Sequence, residues 1–460
     1  MRDIKLARQR KATATFRAFG QTSSRTSGNA GGEGYAEYSY NFDCGDGALT
    51  RGFGLYDRYM GIPGIAVNLY FYRRKDEFFG SDDLILVRLK TGEMYSVPVG
   101  GGRFRYIEGL TFSQAPVGVN YNFNGEDVFI LSSPDDGMFI FDGDNAVKVE
   151  DAPAITSACV HYERLFATSD QTIWFSDDFD PSNWSVSLTE AGFIDLTGFR
   201  GDCLKVVSFL DYLYVFRRYG ITKINAYAKQ TDFSANDLFV SSGRTIGSSI
   251  TFCGDEIIFM TSEGFYSFNG MTARRILTSL DGVIDYDDED VKGQFYSGKA
   301  FFTVTALNDG LPEKMVLVVD VNSGNYYFMQ GFDIVDIQLI DGLYNYNLAF
   351  LDSDGDTVYL LDKSGEKKGV LPDACWSSKL TDFGVTGRNK IIDEVSFYTT
   401  AKAEIIVSNG YWERKFSVNG GRRRREIFPH MIGDSFKIKI ICKEATPRIE
   451  KLSVRFSYYP

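Results

Sequence analysis

Along most of this 460-residue chain, apolar and polar positions alternate in short runs broken by tight polar turns. A period of two predicts half-buried strands, and no segment keeps a 3.6-residue apolar period over three turns, so helix content should be low. From about residue 62 one order recurs: strand, polar turn, strand, Gly turn, strand. The first clear hairpin centre is Asn124-Gly125-Glu126-Asp127, between Val117–Phe123 and Val128–Leu131. Comparable centres follow at Glu163, Asp211, Gly254, Gly298 and Gly342, at spacings of 39, 48, 43, 44 and 44 residues. Spacings of about 40–50 residues are those of propeller blades.

The flanking runs read individually as strands. Ile257–Met260 leads through Thr261-Ser262-Glu263-Gly264 into Phe265–Phe268 and the turn Asn269-Gly270, and Met315–Val319 reaches Tyr326–Phe328 through Asn322-Ser323-Gly324. Asn-Gly and Ser-Gly pairs between β-branched and aromatic runs are strong hairpin signals. An earlier unit, Ala66–Tyr72 with Leu84–Val87 and Tyr95–Val97, brings the number to about seven, with six the alternative. The predicted fold class is therefore all-β: a β-propeller over 36–370, in which residues 36–62 can supply a closing strand. A radial repeat also protects the many strand edges such a chain would otherwise expose. Beyond 370 the rhythm lengthens, and 371–460 reads as an appended C-terminal β-sandwich-like domain. Residues 1–35, rich in Arg, Ser, Thr and Gly, read as a flexible basic N-terminal arm.

Composition sharpens this picture. The chain holds 27 Tyr, 38 Phe and 4 Trp with 46 Gly and only 11 Pro, which suits short strands and tight turns. No apolar run of about 18 residues predicts a membrane-spanning helix, and the polar start of the chain predicts no secretory leader. The six cysteines are widely spaced, which predicts free thiols in a reducing compartment. Charge is uneven: residues 1–35 carry a net +5, residues 401–460 a net +7, and the body between them −24. An acidic body with basic ends bears on partners, not on fold.

Candidate chemistry is sparse. His161 and His430 lack metal-ligand spacing, and no nucleophile elbow, phosphate loop or zinc motif occurs. Asp352, Asp354 and Asp356 imitate the start of a calcium loop, but its twelfth position is Lys363 instead of Glu. The run Asp285, Asp287, Asp288, Glu289, Asp290 is a denser acidic cluster. Neither cluster amounts to a predicted metal site, and no cofactor is predicted. The sharpest charge feature is Arg422-Arg423-Arg424-Arg425 after the Gly420-Gly421 turn, read as a basic hairpin able to grip phosphates or an acidic partner. Arg8, Arg10 and Lys11 are the corresponding candidates in the arm.

One stretch resembles a known family. Arg164–Thr168, Ile173–Asp177 and then Asp180-Pro181-Ser182-Asn183-Trp184 are similar to a signature of β-propeller tail proteins of tailed bacteriophages, the tail-nozzle and packaged-DNA-stabilisation type. Leu213–Phe216, Gly247–Ser249, Phe259–Tyr266, Gly433–Ile438 and Ile449–Leu452 continue the resemblance over about 160–460. It implies a non-enzymatic virion protein of the tail, assembled in the bacterial cytoplasm as a homo-oligomeric ring that extends or closes the DNA channel. Its implied partners are further copies of itself, other tail or connector proteins and the double-stranded DNA in transit. The family-like loop is carried by Asp177, Asp180, Pro181 and Trp184. Two alternatives stand beside it. One is a tail-tip or fibre propeller contacting the host surface through the aromatic loop Phe175–Trp184; the other is a propeller carbohydrate-active enzyme with two carboxylates in a central pocket.

Overall fold

A computed structural model describes residues 9–16, 18–23, 36–74, 82–187, 189–227, 230–308, 311–343, 345–367 and 369–459. Among them no helix is long and apolar enough to cross a membrane. Six separate four-stranded antiparallel sheets follow the chain, and a seventh four-stranded meander forms one end of a nine-stranded sheet. Each is a propeller blade. The inner strands, in ring order, are Ala66–Tyr72, Val117–Phe123, Ser157–His161, Cys203–Phe209, Thr251–Phe252, Gly293–Tyr296 and Ile334–Asp341. The inner strand of blade seven packs against that of blade one, so the ring is closed.

All six hairpin centres read from the sequence lie at turns between the first and second strands of blades two to seven. The closing strand also comes from the expected region. Gly54–Met60 pairs with Thr357–Asp362 as the outermost strand of blade seven, while the rest of that blade begins at Ile334. Joining the two ends of the ring within one sheet removes an exposed edge.

The aromatic excess sits between blades. Seven apolar clusters each join one adjacent pair of blades, and an eighth fills the sandwich. Rings meet across these seams: Tyr72 with Phe129 at 5.5 Å, Phe216 with Phe259 at 5.2 Å, Phe265 with Phe302 at 5.1 Å. Tyrosine adds a polar tip to an apolar body, and a recurring device uses it. Tyr121 donates to the Glu163 carbonyl at 2.7 Å, Tyr214 to Gly270 at 3.0 Å and Tyr59 to Val99 at 2.8 Å, each from one blade to the next. Buried arginines fasten the linkers: Arg88 donates to the carbonyls of Phe112 and Ser113, and Arg217 to those of Gly201 and Leu196.

The domain boundaries differ from the sequence-based expectation. The propeller strands run from Gly54 to Asp362, and the described strands before them, Arg10–Thr15, Ala36–Tyr40, Phe42–Asp43 and Leu49–Arg51, belong to the sandwich sheets and not to an arm or a blade, while residues 1–8 and 24–35 of the expected arm lie outside the described residues. Arg10–Thr15 pairs antiparallel with Arg448–Tyr458, and Phe16 and Phe19 approach Trp376 edge-on at 6.1 and 4.9 Å. Trp376 is fully buried and donates its indole N–H to the Gly20 carbonyl at 3.0 Å. An apolar anchor of this size outweighs the polar composition that suggested a flexible segment. Ala36–Tyr40 pairs with the outer strand of blade six, Tyr326–Met329, so one sandwich sheet is a lateral continuation of that blade.

Candidate functional site

The fold sorts the charge. Residues 54–362 carry 22 basic and 45 acidic side chains, a net of −23, whereas the remaining 27 basic and 16 acidic side chains give +11. An acidic propeller is thus joined to a basic sandwich. The two basic ends of the chain share one seven-stranded sheet: Arg10–Thr15 and Gly421–Ile427 lie on either side of the central pair Arg448–Tyr458 and Lys390–Thr399. Arg10, Lys11, Arg422 and Arg423 are exposed, and Arg8 lies outside the described residues.

The four arginines are not in a hairpin turn. They form an outer strand, Gly421–Ile427, paired with Lys390–Thr399. The preceding strand, Glu413–Val418, belongs to the other sheet, so the chain crosses between sheets at Asn419-Gly420. Gly420 is required there, because a Cβ would sit 2.2 Å from the Thr400 carbonyl oxygen. The arginines also differ in role. Arg424 reaches the buried Glu394 at 3.2 Å, and Arg455 pairs with the same carboxylate from the neighbouring strand. Arg425 turns back to the Gly420 carbonyl at 2.7 Å. Arg422 and Arg423 remain to present charge outward.

A feature the sequence reading missed lies at one end of the sandwich. The hairpin between Ala403–Ser408 and Glu413–Val418 carries Tyr411 and Trp412, exposed by 89% and 75%. Asn409 holds the tip rigid: its side-chain oxygen accepts the N–H groups of Tyr411 and Trp412 at 3.0 and 2.8 Å, and its amide donates to the Ile432 carbonyl at 2.8 Å. Ile432, which accepts that bond, is exposed as well. The signal was Asn409-Gly410 followed by two aromatics, a turn whose residues serve no core. Rigid exposed aromatics are the side chains that anchor protein interfaces.

The family-like loop is packed instead of presented. Trp184 is buried between blades two and three, Pro181 is buried, and Phe175 is fully buried. Asp177 accepts the N–H of Glu190 at 3.1 Å and Asp180 that of Ser182 at 2.9 Å, while Arg164 pairs with Asp178 at 2.7 Å. Of the loop's aromatics, Phe179 reaches solvent, so an aromatic receptor surface over Phe175–Trp184 is not formed. The calcium-like sequence fares similarly: Asp352 is buried against Lys367 at 2.9 Å, while Asp354 and Asp356 are exposed. Among the described residues no three His, Cys, Asp or Glu side chains converge as a metal site. In the denser acidic run, burial works against ionisation of Asp288, yet hydrogen bonds from Lys314 and Thr305 hold its carboxyl below the usual range.

His161 is a core residue: Nδ1 meets the Ser208 hydroxyl at 2.8 Å, Nε2 is buried without a partner, and burial pushes its pKa down against Asp211 and Glu163. The cysteines are free, and burial pushes Cys159 and Cys253 up to about 12, so these thiols are unreactive. In the inner strand of blade seven, burial raises the Asp336 carboxyl above the usual range, against Lys292 and the N–H groups of Leu69 and Ile337.

No family model matches the chain, and no curated protein matches it. Among solved structures, one of BBS1N in complex with ARL6DN, soaked with lead, is similar over 67% of this chain and 96% of that one, at 9% identity and a TM-score of 0.43. The propeller assignment rests on the strand order and the seven inter-blade clusters.

Proposed function

We propose that this chain is a structural, non-enzymatic virion protein of a tailed bacteriophage, assembling as a homo-oligomeric ring in a tail nozzle or hub that extends or closes the DNA channel. The observation that carries the reading is the partition of charge, −23 on the propeller against +11 on the remainder. Opposite fields on two parts of one chain favour head-to-tail contact between copies, and heterologous contacts close into rings when the rotation permits. Arg422 and Arg423 on the outer strand supply the basic side, and a neighbour's acidic blades the other. In this reading the DNA passage lies between the copies of the ring. An acidic wall facing the duplex lets it slide without adhering.

Immunogold electron microscopy of virus particles with antibody to the recombinant protein tests the placement. Label at the head-proximal part of the tail supports the nozzle, and unlabelled particles overturn the virion reading. Mass photometry of the recombinant protein tests the contact: discrete higher-order species at low salt should be lost in Arg422→Glu/Arg423→Glu. A second reading, a tail-tip protein contacting the host, is favoured by the Tyr411–Trp412 tip and predicts label at the distal end.

A further inference from the structure

Rows of polar side chains cross the outer face of the seven-stranded sandwich sheet. Thr13 stands opposite Arg455, and Arg455 opposite Glu394, on the neighbouring strands Arg10–Thr15, Arg448–Tyr458 and Lys390–Thr399. Arg424, from the outer strand Gly421–Ile427, completes this row by reaching Glu394 at 3.2 Å. A second row is Thr15, Ser453, Ser396 and Glu426. The residues between the two rows, Ala14, Val454 and Val395, pack into the core, so strand alternation turns both polar rows outward.

Glu394 fixes two guanidinium groups at one place. Its buried carboxylate holds Arg424 on one oxygen and Arg455 on the other, and both arginine side chains are about half exposed. Arg424 also donates to the Ser396 hydroxyl. Each guanidinium has five N–H donors, more than these acceptors can take, and its planar fork matches phosphate oxygens. One carboxylate offsets only one of the two positive charges, and side chains already ordered cost less to engage when an anion arrives. Around the pair, Lys11, Thr13 and Thr15 are exposed, and the Ser453 hydroxyl meets that of Thr15 at 3.3 Å. The ring of Tyr398 lies under the Lys451 ammonium at 5.4 Å. Protein interfaces are anchored by exposed apolar side chains, and the two rows present none. Contacts to phosphate and sugar come from Arg, Lys, Ser and Thr. We propose that this sheet face binds the sugar-phosphate backbone of nucleic acid, with Arg424 and Arg455 seating one phosphate and Lys11, two residues along from Thr13, meeting a neighbouring one. The acidic propeller repels the same backbone, which confines binding to the sandwich and makes it sensitive to salt. Acidic blades let a duplex pass, whereas this face retains it.

Fluorescence anisotropy of the full chain with a short labelled DNA duplex of mixed sequence, over a series of salt concentrations, tests this. Saturable binding that weakens with salt is expected. Arg455→Gln should weaken it at least about fivefold at low salt and lower the slope of log affinity against log salt by about 1. Lys11→Glu leaves Glu394 and both arginines in place and should weaken binding in the same way, so it carries the test if circular dichroism shows Arg455→Gln unfolded. Lys148→Glu, an equal change of charge at an exposed position of blade two, should leave binding unaltered. Absence of salt-sensitive binding, full affinity in both sheet variants, or preferential binding of polyglutamate or of phosphatidylglycerol vesicles overturns the proposal. The ring and virion readings stand or fall separately, on the particle labelling and mass photometry.

Discussion

Lys367 places its ammonium group 2.9 Å from the carboxylate of Asp352, which is only 2% exposed, where the chain leaves blade seven for the sandwich. The same ammonium lies 5.4 Å from the centre of the Tyr359 ring and donates to the Phe332 carbonyl. Stripping one partner from a buried pair leaves an uncompensated charge and costs about 3–5 kcal/mol, more than replacing both. Lys367→Met is therefore expected to lower the thermal midpoint clearly, and Lys367→Met/Asp352→Leu to recover part of the loss, as differential scanning fluorimetry can read.

Lys205 gives a pH dependence of defined sign. Its folded pKa of about 8 lies below the ordinary 10.5. Below pH 8 both folded and unfolded chains hold the proton, and the cost of burying the charge is fully present. Between these values the folded chain releases its proton first, so stability rises with pH and the cost is gone above 10.5. Lys205→Met is expected to be the more stable protein at pH 7, by at most about 3 kcal/mol. That advantage should shrink between pH 8 and 10.5, measured as paired urea midpoints in buffers free of phosphate.

Two tryptophans should behave oppositely. Trp184 is buried between blades two and three, and truncating it to Ala is expected to cost about 3–5 kcal/mol. Trp412 is 75% exposed at the hairpin tip, and Trp412→Ala should leave the denaturation midpoint within about 0.5 kcal/mol. Incorporation into particles or adsorption to host cells should fall in Trp412→Ala if the tip is an interface anchor, and a plaque assay with the altered protein reads this.

The arginine strand separates in the same manner. Arg424→Ala removes one of two cationic partners of the buried Glu394 and is expected to destabilise by about 1.5 kcal/mol. Arg422→Ala should be near neutral for stability while weakening salt-sensitive association. Equal losses of stability in both variants, measured by chemical denaturation, would argue against this division.

Much of the propeller was legible because its turns carry their own chemistry. Asn124-Gly125 and Asp211 sit at tight turns with positive φ, and such residues mark hairpins whatever the tertiary context. The closing strand Gly54–Met60 falls within residues 36–62, the region from which the sequence allowed one to come. The sandwich was read only in its C-terminal half. Arg10–Thr15 does alternate, with Ala12 and Ala14 inward and Lys11, Thr13 and Thr15 outward, but alanine is too weak a hydrophobe to announce a strand. Its partner, Arg448–Tyr458, lies more than 400 residues away, beyond any local signal.

The pairing of Arg10–Thr15 with Arg448–Tyr458 also sets a schedule for biosynthesis. Arg10–Thr15 must wait, unpaired, until Arg448–Tyr458 has left the ribosome, and Gly54–Met60 waits in the same way, though less long, for Thr357–Asp362. Contacts of such long sequence separation form late. A polypeptide terminated before Arg448 therefore possesses blades but no finished basic sheet, and any partner that reads that sheet accepts only copies that reach Tyr458. Quality control of synthesis is thereby built into the topology.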